Sequence, residues 1–124
     1  MPGDDPVEYV GEVFDHYVRN PVLLRLLLWE SLYDRQSTLP EQQWRTERCR
    51  RKIESLAARL GEEPSAEVGR TVLTLIGLAM MPMAMPQLAA LLGTSMDSPE
   101  SVARMREHVT AFARTALENR TTAE

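Results

Sequence analysis

From Thr71 to Met96 the chain carries no charged side chain, whereas the segment after Glu41 alternates acids and bases through four turns' worth of sequence. The final segment is different again: Val102, Met105, Val109, Phe112, Ala116 and Leu117 recur every three to four residues, the period of one helix face. Helix punctuation frames these blocks. Asp5-Pro6-Val7-Glu8 has an N-cap followed by a proline at the first helical position, so a first helix is predicted to run from there to about Arg19. Asn20-Pro21 repeats the signal at once and predicts a second helix, Pro21 to Arg35, after a sharp turn. Ser37 and Thr38 before Pro40 open a third, which Gly61 should close. Ser65 caps a fourth, interrupted by Pro82 and Pro86, kinked near Met81 and closed by Gly93. Ser98-Pro99-Glu100 starts the fifth, predicted to end near Glu118. No segment alternates with period two over a strand's length, and no internal repeat is visible. The predicted fold is all-α, a five-helix bundle.

The uncharged stretch sets the first functional question. Val72, Leu73, Leu75, Ile76, Leu78, Ala79, Met80 and Met81 leave almost no polar face, and a helix apolar all round is buried all round or lies in lipid. A membrane span needs about 20 residues, but Pro82 and Pro86 interrupt this one. The rest of so small a domain covers only part of such a helix, which leaves a ligand or a partner for the remainder, and a second copy is the economical partner. The last helix offers small residues, Ala103, Ala113 and Ala116, beside Phe112 and Leu117. Two such helices from each copy would form a four-helix bundle about a two-fold axis.

The second helix is nearly as apolar, with Leu23, Leu24, Leu26, Leu27, Leu28 and Trp29 broken only by Arg25. Arg25 marks a solvent side, and Glu30 lies about 140° from it around the helix, so Glu30 is expected to point inward. An inward acid needs a partner, either an arginine or a bound molecule. The methionines Met80, Met81, Met83 and Met85 either line an adaptable pocket or fill an irregular core. Trp44, Trp29, Phe14 and Tyr17 are candidates for aromatic walls of the same cavity or for core positions. In the third helix, Glu41 to Arg45, Glu47 to Arg51 and Arg50 to Glu54 are spaced by four, which predicts a solvated, salt-bridged outer face instead of a phosphate site.

Composition narrows the partners. The chain has 124 residues, one domain's worth, with 14 basic and 18 acidic side chains and a net charge of −4, which disfavours direct contact with a nucleic-acid backbone. Cys49 is the single cysteine, so no disulfide and no cysteine-based metal site is expected, and acids and prolines stand where an export signal needs bases and an apolar run. A cytoplasmic protein is expected. His16 and His108 belong to no metal motif, and the nucleophile and phosphate-loop motifs are absent. Neither an enzyme nor a cofactor or metal is expected.

Val13-Phe14-Asp15, Arg19-Asn20-Pro21 and Leu26-Leu27-Leu28-Trp29-Glu30 resemble the start of the C-terminal domain of TetR-type transcriptional regulators. Met85-Pro86-Gln87-Leu88 through Leu92-Gly93, and Ser98-Pro99-Glu100 with Arg106-Glu107-His108, are similar to that family's last two helices, so the likeness runs from about Val7 to Leu117. The resemblance implies an effector-binding and dimerisation domain spanning residues 1–124, with the last two helices pairing in a homodimer and a mostly apolar pocket in each subunit. The family's helix-turn-helix domain is not expected in this chain. The residues then expected to meet a small apolar effector are Phe14, Tyr17, Trp29, Glu30, Tyr33, Trp44, Ile76 and Met80. Those expected at the dimer interface are Met85, Leu88, Leu92, Val102, Met105, Val109, Phe112, Ala113 and Ala116. In the uncharged stretch, the part before Pro82 is expected to face its own subunit and Met85 to Leu92 the second. An alternative role is a stand-alone subunit that pairs with a full-length regulator.

Overall fold

The computed structural model describes residues 5–33 and 42–122, with the side chains of residues 31, 33, 42–45 and 120–122 outside that description. Six helices account for nearly all of it: α1 Pro6–Arg19, α2 Pro21–Tyr33, α3 Gln42–Leu60, α4 Ala66–Ala84, α5 Pro86–Leu91 and α6 Pro99–Thr122. No strand occurs among the described residues. The expected end of the second helix at Arg35 and the expected start of the third at Ser37 to Pro40 lie outside the described residues.

Local chemistry sets the boundaries. The Asp5 carboxylate accepts from the Val7 amide at 2.9 Å and the Ser65 hydroxyl from the Val68 amide at 3.3 Å, each satisfying an amide that a first turn leaves without a partner. Replacing Ser65 with alanine is therefore expected to cost about 1 kcal/mol, measurable by urea denaturation. At α6 the capping is reciprocal: the Ser101 amide donates to the Ser98 hydroxyl at 3.1 Å and the Ser98 amide to the Ser101 hydroxyl at 3.0 Å. Gly61 and Gly93 take φ of 70° and 75°, the left-handed region that glycine enters without steric cost. Each closes its helix with paired amide bonds, Glu62 to the Ala57 carbonyl and Thr94 to the Ala89 carbonyl, both 2.8 Å, beside longer bonds from the glycines themselves, Gly61 to Ala58 at 3.2 Å and Gly93 to Ala90 at 3.1 Å.

The expected fourth helix is two helices, and this makes six where the sequence predicts five. Pro82 is carried inside α4, and the break falls at Met85 (φ −130°, ψ 65°) instead of a kink near Met81. The cause is Pro86, whose ring clashes with an α-helical conformation at the preceding residue. The Met85 amide still closes onto the Met81 carbonyl at 3.2 Å, and its own carbonyl starts α5 by accepting from Ala89 at 3.0 Å.

α1 lies against both α4 and α6, α3 packs on α4, and α2 bridges α1 and α4. The core between them is small and contains Val10 and Phe14 of α1, Leu56 and Ala57 of α3, Val68, Leu75 and Ala79 of α4, and Val109 and Ala113 of α6. Phe14, Val10 and Val68 are its largest fully buried side chains. A polar clasp secures α1 to α6: the Arg106 guanidinium donates to the Asp15 carboxylate at 2.9 Å. It crosses directly over Gly11, where an added Cβ would stand 2.6 Å from an Arg106 terminal nitrogen.

Candidate dimerisation face and effector cleft

α4 lies against α1, α3 and α6, yet one of its sides is uncovered. Val68, Leu75 and Ala79 are buried, while Leu73 is 71% and Met81 53% exposed. By length and composition α4 would suffice to cross a membrane, but its buried positions are those that meet the core. The uncovered side continues onto α5 and α6, where Met85, Leu88, Leu91, Leu92 and Phe112 are also exposed. Between the three helices runs a groove of about 500 Å³. Thr74, Gly77, Met81 and Pro82 form its α4 wall, Met85, Leu88 and Leu92 its end, and Met105, His108 and Phe112 its α6 wall. The His108 and Phe112 rings lie 5.9 Å apart. No acidic residue, lysine or arginine lines the groove. So large an apolar surface without charges is the kind that a folded monomer rarely leaves in water. Gly77 in the α4 wall has open space where a side chain would stand.

A second cavity, of about 260 Å³, opens between α1, α3 and α4. Leu56, Val72 and Leu75 make its apolar floor, and Tyr9, Glu12, Arg51 and Lys52 surround its mouth. The Lys52 ammonium donates to the Tyr9 hydroxyl at 2.9 Å and lies 5.0 Å from the centre of that ring. Burial pushes the Tyr17 phenol up, while the nearby Lys52 charge pulls it down.

The apolar face on α4, α5 and α6 and the cleft between α1, α3 and α4 are thus separate features of the fold. The family model for the tetracyclin repressor-like C-terminal domain matches residues 5–115. The chain belongs to that family. No curated protein and no solved structure matches it. Regulation of transcription follows from membership of the tetracyclin repressor-like family, whose C-terminal domains belong to regulatory, non-enzymatic proteins.

For a tetracyclin repressor-like domain the residues singled out by sequence fall into distinct places. At the proposed interface, Met85, Leu88, Leu92 and Phe112 are exposed on the groove, and Met105 lines it half-buried. Ala116 is exposed further along α6 and Val102 is half-buried. Val109 and Ala113 lie in the chain's own core, 5% and 0% exposed, although Val109 also forms part of the groove floor. Among the expected effector contacts, Phe14 is a core residue, Trp29 is 61% exposed on α2, and Glu30, Ile76 and Met80 are half-buried. Tyr17 is the one near the second cavity, close enough for Lys52 to act on it. None of these six lines the groove or the cleft. Tyr33 and Trp44 belong to α2 and α3, and their side chains lie outside the described residues.

Two features of the fold lie outside the residues singled out above. Leu73, Gly77 and Met81 share the open side of α4, a signal present in their spacing of four. Arg51 was expected to pair with Glu47, but Glu47 binds Arg50 at 3.0 Å instead, and Arg51 lines the cleft.

Proposed function

We propose that this chain is the ligand-sensing and dimerisation domain of a TetR-like transcriptional repressor. The observation that carries the reading is the uncharged groove across α4, α5 and α6, with Leu73, Met81, Met85, Leu88, Leu92 and Phe112 exposed in or beside it. A second copy packing its own α4 and α6 there would build the four-helix bundle and cover the open side of α4. Residues 1–124 act as one domain in this reading, and the protein works in the cytoplasm.

The effector is a small molecule with an apolar body, held by the earlier helices. It would favour one arrangement of the two subunits over another, and so change the spacing of the DNA-binding domains attached to them. The fold supports such coupling because α1 lines the cleft through Tyr9 and Glu12 and is tied through Asp15 to Arg106 of α6, the helix that forms one wall of the groove. Native mass spectrometry tests the proposal. The expected spectrum shows a dimer that carries a small molecule after purification from cells or takes one up from an extract. A monomer that binds nothing would overturn it.

A further inference from the structure

We infer that the cleft between α1, α3 and α4 selects a small organic anion, a carboxylate on a short apolar body. The inference rests on the effector-sensing reading above and specifies the chemistry of its ligand. The apolar part is set by Leu56, Val72 and Leu75, contributed by two helices and packed in or against the core, so the floor is pre-formed. At about 260 Å³ the cavity suits a small ligand.

Charge at the mouth sets the other part. Arg51 and Lys52 are adjacent on α3 and both line the opening, in a chain whose net charge is −4. Arg51 has no ion-pair partner among the described residues, because Glu47 is engaged by Arg50. Lys52 is held in place by Tyr9, through its hydroxyl and its ring, with one of three ammonium hydrogens used. Glu12 is the single acid among the residues that line the opening, and the Arg106 guanidinium is held by Asp15. Two cations thus face the mouth against one carboxylate. An anionic head entering there gains charge-assisted hydrogen bonds, an ammonium head is repelled, and a hydroxyl head gains only neutral ones.

The test is calorimetric titration of the intact protein at pH 7 with three probes of equal apolar length below their micelle concentrations: sodium octanoate, 1-octanol and octylammonium chloride. Octanoate is expected to bind saturably and about tenfold or more tightly than either of the others. The double variant Arg51→Gln/Lys52→Gln, changed only at exposed positions, should bring octanoate down to the octanol level. Ser55→Trp, which places an indole at the cleft wall, should abolish it. Octanol binding as well as octanoate, or unchanged octanoate affinity in the double variant, would overturn the anionic selectivity while leaving a sensing domain intact. Binding that persists in Ser55→Trp would overturn the cleft as its location. If none of the three probes binds, the inference fails together with the apolar-effector reading on which it rests.

Discussion

Replacing Phe112 with aspartate is expected to leave the helices folded and to convert the protein from dimer to monomer. Phe112 is 58% exposed in the single chain, so a carboxylate there stays hydrated in the monomer and costs little. In the dimer the same carboxylate would be driven into a groove that offers it no lysine or arginine. An unpaired charge in such a place costs several kcal/mol, and symmetry places one on each subunit. The loss in dimer affinity should therefore exceed about a hundredfold, each factor of ten corresponding to about 1.4 kcal/mol. Size-exclusion chromatography with light scattering reads the mass, and circular dichroism checks that the helices remain. Leu88→Asp, on α5 at the end of the groove, should act in the same direction.

Replacing Phe14 with alanine is expected to have the largest effect on folding itself. Phe14 is fully buried between α1, α4 and α6, and removing its ring leaves a void that the small core cannot close. The expected loss is about 3–5 kcal/mol, a large part of the roughly 5–15 kcal/mol that keeps a domain folded. Urea denaturation at one fixed protein concentration measures it, since dimerisation makes apparent stability depend on concentration. The result also decides how Phe14 is used. If it faced an effector space instead of the core, the loss would be small and the addition of ligand would restore stability.

Much of the fold was legible because helix ends are local chemistry. Asp5, Ser65 and Ser98 cap the helices they precede, and Gly61 and Gly93 end the helices before them, as their positions in the sequence predict. The break at Met85 was misplaced because two prolines competed. Both prolines disfavour a helical conformation in the residue before them; Met81 keeps it and α4 runs on through Pro82, whereas Met85 leaves it before Pro86. The site was less legible, since it depends on which side of each helix the core takes. Val109 and Phe112 are three residues apart on neighbouring sides of α6, and the packing of α1 decides that Val109 turns inward and Phe112 outward. The uncharged stretch shows the same limit. The structure divides it by face, with Leu75 and Ala79 inward and Leu73 and Met81 outward, and not by length at Pro82. A helix apolar on every side carries no polar residue to tell those faces apart, so periodicity had nothing to report. The cleft mouth was hidden for the opposite reason: in a helix full of charges, which cation turns toward a neighbour is set by packing against α1 and α4.

A second copy of the chain is expected to cover the open groove of α4, α5 and α6. Sedimentation equilibrium of the unmodified protein from about 1 to 100 μM tests it most directly, the range in which such an interface of ordinary affinity is saturated. The predicted result is a single species at twice the chain's 14.0 kDa across that range. A species that stays at the mass of one chain up to the highest concentration would contradict it.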